Sequence, residues 1–297
     1  MAVFKGSAVA IVTPFTEDGS EVNYDAFADC IDYQIEHGTD AIVVCGSTGE
    51  AATMTEEEHL KVCKFCIDYT KKRVPVIAGT GSNWTKTAID LSKEVAGYGA
   101  DALLLVAPYY NKGTQEGVYG HFALTAAEVP DTPVILYNVP SRTGGNVAPE
   151  TVCRLVKDVP NIVGIKEASG DIGQIVKLMT LCDGNIDLYS GNDDQVVPLM
   201  SMGGIGVISV VANIAPEAMH DMTFKFLEGD VAGAARLQMD TYELFQALFC
   251  EVNPIPVKKA VNLLGLNAGP LRMPLTEMTP ANTEKLYRAM VNFGLIK

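Results

Sequence analysis

Eight short apolar runs, rich in β-branched residues, recur along the chain: residues 7–15, 40–47, 74–81, 101–108, 132–140, 161–169, 186–193 and 205–213. Each runs into Gly, Pro, Ser or Asn, residues that open loops. The segments between them have helical apolar spacing. Thr55 followed by Glu56, Glu57 and Glu58 reads as an N-cap with an acidic first turn. From Asp171 to Leu181, Ile172, Ile175, Val176 and Met179 fall on one predicted helical face. Near-continuous apolar strands alternating with amphipathic helices imply a parallel sheet buried on both faces. Eight such units of about 25–30 residues fit a closed (β/α)₈ barrel better than an open sheet. The expected division is a barrel over residues 1–229 and a helical C-terminal extension over 230–297, with the loop Asn253-Pro254-Ile255-Pro256 between its helices. No low-complexity stretch or linker interrupts the pattern.

Composition narrows the function classes. The 297 residues are 48% hydrophobic and 20% charged, with a net charge of −14. A phosphate-backbone binder needs a basic face, so nucleic acid is a poor partner, and no polybasic segment points to a membrane surface. Small anionic substrates stay open, because one local Arg or Lys decides them. No apolar run approaches the ~18 residues of a membrane helix. Seven scattered cysteines, an odd number, and an N-terminal apolar run cut by Pro14 lead to the expectation of a reduced, cytoplasmic chain.

Several motifs can be set aside. Cys63-Lys64-Phe65-Cys66 is a CxxC inside a predicted helix, with no second pair or histidines at zinc spacing. His37, His59, His121 and His220 are far apart in sequence. Gly97-Tyr98-Gly99-Ala100-Asp101-Ala102 matches GxGxxA but leads into a strand, whereas a dinucleotide site needs strand, glycines, then helix. Neither a phosphate-binding GxxxxGK nor a GxSxG elbow is present. No metal or cofactor is expected.

In such a barrel the active site lies at the C-terminal strand ends. Those ends carry Gly46-Ser47-Thr48-Gly49-Glu50, Tyr109-Tyr110-Asn111, Tyr137-Asn138, Lys166-Glu167, Ser190-Gly191-Asn192-Asp193 and Ile208-Ser209. Lys166 closes the apolar run Ile162-Val163-Gly164-Ile165. By period-2 alternation it shares a face with Ile162 and Gly164, and either that face or Glu167's points into the barrel. An ammonium in the mouth would be partly desolvated, which favours the neutral amine that attacks a ketone. The competing assignment, a lysine snorkelling outward to pair with Glu167 or a loop acid, is not excluded by position alone. Tyr137 closes the neighbouring strand in the same way, with Ile135 on its face, and a phenol beside the amine can shuttle protons. Ser47 and Thr48 offer hydroxyls and backbone N–H groups for a carboxylate, or an ordinary turn. Arg142 offers a fork for a second carboxylate, or a solvated loop arginine.

Together these segments closely resemble the dihydrodipicolinate synthase (4-hydroxy-tetrahydrodipicolinate synthase) family, within the N-acetylneuraminate lyase superfamily of Schiff-base aldolases. The resemblance runs through Thr13-Pro14-Phe15, GSTGE, AGTGSN, APYYNKGTQEG, YNVPSRTG, GIKEASGD, SGND, GVISVVAN, NPIPVK and LRMPL. It implies condensation of pyruvate with aspartate 4-semialdehyde, in lysine and diaminopimelate synthesis, with no cofactor. Lys166 would form the imine, and Tyr137, Ser47 and Tyr110 would relay protons, Tyr110 entering from a neighbouring subunit. Thr48 would hold the pyruvate carboxylate and Arg142 the semialdehyde carboxylate, while Gly191 and Ile208 would line the lysine pocket. A homotetramer, a dimer of dimers, is implied. His59, Asn83 and Tyr109 match an effector lysine site, but Glu56 and Thr87 stand where a histidine and an acid are expected, which leaves lysine feedback open. Ser47 replaces the family's usual threonine, keeping the hydroxyl and losing its methyl packing. The nearest alternative is a sialic acid or 2-keto-3-deoxy sugar acid aldolase, which Arg142 argues against. A non-catalytic keto-acid receptor and a metal-dependent aldolase are further alternatives.

Overall fold

The computed structural model describes residues 2–297. Eight parallel strands close in chain order: β1 (Gly6–Ala10), β2 (Ala41–Val44), β3 (Val76–Gly79), β4 (Ala102–Val106), β5 (Val134–Asn138), β6 (Ile162–Glu167), β7 (Asp187–Ser190) and β8 (Gly206–Ser209). Each predicted run holds one, apart from Gly6, which starts β1 one residue before the first run. Closure is made by β1 on β8, with Gly6 opposite Gly206 and Val9 opposite Ser209. Around the strands lie α1 (Tyr24–Glu36), α2 (Glu56–Thr70), α3 (Thr85–Gly97), α4 (Gln115–Ala127), the short α5 (Pro140–Thr143), α6 (Pro149–Asp158), α7 (Ile172–Leu181), the short α8 (Val196–Met200) and α9 (Pro216–Leu227). Four helices follow: α10 (Val231–Asp240), α11 (Tyr242–Leu248), α12 (Ile255–Leu263) and α13 (Pro280–Phe293). Among the described residues no helix is long and apolar enough to cross a membrane.

Alternation along the strands separates two cores. The larger lies between sheet and helices, and the smaller fills the barrel with Ala8, Ala10, Ala41, Ala102, Ile77, Ile135, Tyr137, Tyr189 and Ile208. Tyr189 donates to the Phe4 carbonyl at 2.9 Å and stacks on its ring. Local signals set the helices: the Thr55 hydroxyl caps α2 by accepting from Glu58 N at 3.2 Å, as its sequence predicts.

Two expectations need correction. On α7 the buried face is Ile175 with Leu178, and Val176 is exposed, because the helix turns Leu178 rather than Val176 toward the sheet. On β6 the alternation breaks. Val134 pairs Ile162 but Ile135 pairs Gly164, so Val163 is a bulge. Ile162 therefore packs outward and Val163 toward the interior, and only Gly164 keeps the face shared with Lys166.

The C-terminal helices tie down the loop after β2. Lys258 of α12 donates to Glu50 Oε1 at 2.6 Å, with both side chains fully buried. Glu50 Oε2 accepts from Arg272 N at 3.1 Å, and both cations rest on the Phe15 ring, 3.9 and 4.0 Å from its centroid. Removing one partner of such a pair strands a buried charge. Lys258→Met is expected to cost about 3–5 kcal/mol, read as a lower urea midpoint, and Glu50→Gln with Lys258→Met to recover part of that loss.

Candidate active site

Lys166 and Tyr137 are direct register partners at the ends of β6 and β5. The Lys166 Nζ lies 4.5 Å from the centroid of the Tyr137 ring. The side chain points inward with the barrel core, which decides the question that alternation left open. Glu167 faces the other way, accepting from Asn138 Nδ2 at 3.1 Å and from Ser169 N at 2.7 Å. Lys166 therefore has no ion pair with its neighbour. Burial holds its ammonium down at about 8; the Asp193 carboxylate pulls the other way, and the Arg142 guanidinium adds to the depression. Burial likewise pushes the Tyr137 phenol up to about 12, against the charge of Arg142 and the nearby Ser47 hydroxyl. At neutral pH the pair consists of a proton-bearing phenol and an amine that readily gives up its proton.

Gly191 packs where no side chain fits. A Cβ there would stand 2.6 Å from Ala168 Cβ and 3.1 Å from Lys166 Cε. Ile208 is buried in the barrel interior beside these groups. Asp193 is buried too. Its Oδ2 accepts from Val210 N and Val211 N at 2.9 and 3.1 Å, while Oδ1 has no partner among the described residues. Pattern alone assigns Asp193 no role in the Ser190-Gly191-Asn192-Asp193 strand end, and its signal is an acid at the end of an apolar strand.

A cavity of about 610 Å³ opens over Tyr137. Ser47, Tyr137 and Arg142 line it, as do His59, Asn83 and Tyr109, with Glu56 and Thr87 on the same wall. Lys166, Thr48, Gly191 and Ile208 do not line it, and Lys166 touches it only through the ring of Tyr137, which does. Thr48 Oγ1 accepts from Asn253 Nδ2 at 2.9 Å, and Arg142 Nη2 donates to the Asn253 carbonyl at 2.9 Å. Asn253 thus bridges both expected carboxylate sites, a role that its place in the Asn-Pro-Ile-Pro loop after α11 did not reveal. Tyr110 is not brought into the cavity. It is 87% exposed and projects from a left-handed turn, φ 70°, anchored by its N–H on the Thr143 carbonyl. Cys45 and Glu50, at φ 54° and 55°, bend the β2 loop in the same left-handed region. Such strain persists only where surrounding contacts enforce it.

Fold and site define an enzyme of the (β/α)₈ barrel class, its reactive groups on strand ends. The chain matches the Dihydrodipicolinate synthetase family over residues 3–292 and belongs to that family. It is 57% identical over 296 residues to the 4-hydroxy-tetrahydrodipicolinate synthase of Lachnoclostridium phytofermentans, covering all of both chains. Among solved structures it is similar to the lysine-bound enzyme from Cyanidioschyzon merolae, with a TM-score of 0.97, 40% identity and full coverage of both chains. It is also similar to the pyruvate complex of the chloride-inhibited dihydrodipicolinate synthase from Acinetobacter baumannii. There the TM-score is 0.95 at 45% identity, covering 98% of this chain and 99% of that one.

The titration of Lys166 gives a signed prediction. Only the neutral amine attacks a carbonyl, so borohydride trapping of pyruvate should rise through pH about 8 and level off above it. Below that midpoint the rate should fall about tenfold per pH unit. Because the Asp193 charge raises the lysine's pKa, Asp193→Asn should move the midpoint to lower pH.

Proposed function

We propose that the chain condenses pyruvate with L-aspartate 4-semialdehyde to 4-hydroxy-tetrahydrodipicolinate through a Schiff base on Lys166. The observation that carries this reading is the desolvated Lys166 amine against the Tyr137 phenol. The amine adds to the pyruvate ketone, and Tyr137 carries the proton that lets the carbinolamine oxygen leave as water. Loss of a methyl proton turns the imine into an enamine, whose carbon attacks the aldehyde. The product's own amine then attacks the imine carbon, closing the ring and releasing Lys166. Thr48 and its backbone hold the pyruvate carboxylate, and Ser47 joins the relay. Arg142 holds the semialdehyde carboxylate. That choice favours the semialdehyde over a sialic acid or 2-keto-3-deoxy sugar acid, as do the names of relatives at 50–57% identity.

Tyr110, exposed on a turn held by its N–H on the Thr143 carbonyl, is proposed to complete the relay of a second copy, making a dimer the smallest active unit and a dimer of dimers the assembly. The reaction is assigned to the cytoplasm. His59, Asn83 and Tyr109 form this chain's side of an effector lysine site, with weaker inhibition expected because Glu56 and Thr87 replace a histidine and an acid.

Borohydride reduction with pyruvate should leave one adduct, on the tryptic peptide carrying Lys166, and an unmodified peptide would sink the mechanism. Tyr137→Phe should lower kcat by about 10²–10⁴, as loss of a general acid–base group does. Arg142→Ala should lower kcat/KM for the semialdehyde by roughly 10–150-fold, the worth of about 1.5–3 kcal/mol for a charge-assisted bond. Pyruvate should still be trapped on Lys166, with the midpoint moved to higher pH because the Arg142 charge that depresses the lysine is gone.

A further inference from the structure

One polar cluster of this protein takes no part in the condensation. Cys45 directly follows β2, while His59 and Cys63 lie one turn apart on α2. All three are buried, and their candidate ligand atoms lie within 4.8 Å of one another, a spacing that no other group of His, Cys, Asp and Glu shares among the described residues. The His59 Nε2 lies 2.8 Å from the Gly79 carbonyl. A carbonyl only accepts, so Nε2 carries a ring proton, and in the neutral ring Nδ1 keeps its lone pair. Anchoring one imidazole N–H on a backbone carbonyl is how proteins orient a histidine whose other nitrogen binds a metal. Gly79 is held by the fold as well, since a Cβ there would meet the Cys45 carbonyl at 2.3 Å. The three groups are therefore fixed by β2, β3 and α2 independently of substrate.

We propose that Cys45, His59 and Cys63 form a binding site for a soft divalent cation of the zinc class, with the fourth position open to the cavity. Two thiolates and an imidazole are a zinc-type donor set, and three protein ligands with one open position is a recurrent arrangement. With bonds of about 2.3 Å to sulfur, a tetrahedral ion holds its thiolates about 3.8 Å apart, so the cluster needs to close by about 1 Å at most. Cys45 and His59 both line the cavity, which provides the entry path. Binding replaces two thiol protons by two metal–sulfur bonds, so two protons are released per ion and affinity rises with pH. Cys45 stands two residues before Ser47. An ion that draws its thiol inward restrains that turn and slows turnover.

Cadmium is the probe. Titrated into the reduced, oxygen-free full-length protein, Cd²⁺ should give a thiolate-to-metal charge-transfer band that saturates at one ion per chain, with turnover falling over the same range. Cys63→Ala should abolish the band. His59→Gln, which keeps a donor for the Gly79 carbonyl, should weaken binding by more than about tenfold and serves where the alanine variant does not fold. Cys153→Ser with Cys250→Ser, which removes the two partly exposed thiols, should leave the band intact. Failure of the wild type to bind one equivalent, or a band untouched by both cluster variants, would overturn the site. Full occupancy with unchanged turnover would overturn its coupling to the Ser47 turn.

Discussion

An ammonium enclosed by a closed barrel loses its hydration, and the mouth of this barrel is organised around that constraint. Eight strands paired without an edge leave an interior of small and branched side chains, with Lys166 at its upper rim. Desolvation favours the neutral amine, and it equally penalises the cation of an imine formed there. Asp193 moderates the shift from behind, and Arg142 acts from the cavity side. The result is a buried lysine whose ammonium gives up its proton at about pH 8, as the proposed nucleophilic role requires.

The same constraint explains why Glu167 does not pair with Lys166. A carboxylate on the inner face would hold the amine protonated. The alternation of β6 sends it outward instead, where Asn138, Ser169 and Gln174 satisfy it. The bulge at Val163 sits upstream, so the strand reaches its C-terminal end in register with Tyr137. Meanwhile the loop bearing Ser47 and Thr48 is held by groups far away in the chain: Glu50 by Lys258 and Arg272, Thr48 by Asn253. The C-terminal helices thus act on the site as a clamp on the β2 loop, which gives their buried ion pair a purpose that stability alone would not, since an apolar pair could pack as well.

Much of the fold was legible because its signals are local. Each strand lies in a short apolar run ended by a loop former, and the Thr55 cap depends on residues three apart. The failures were also local in origin. One extra residue in β6 reverses the face of everything before it, and no pattern of single residues announces a bulge. Val176 looked buried because several spacings suit a helical face, and only the neighbouring elements choose between them.

The sequence by itself determined the barrel, the lysine and tyrosine on adjacent strand ends, and the family. Apolar periodicity and motif spacing survive in one dimension. Only the tertiary structure decided which way Lys166 faces, that Asn253 bridges Thr48 and Arg142, and that Cys45 meets His59 and Cys63. Those depend on contacts between residues up to some two hundred positions apart in the chain, as with Asn253 and Thr48. The CxxC illustrates the difference. Read along the helix, Cys63 belongs with Cys66; read in space, its partners are a strand-end cysteine and a histidine one turn before it, because helix packing brings a side chain against the sheet rather than against its neighbour in sequence.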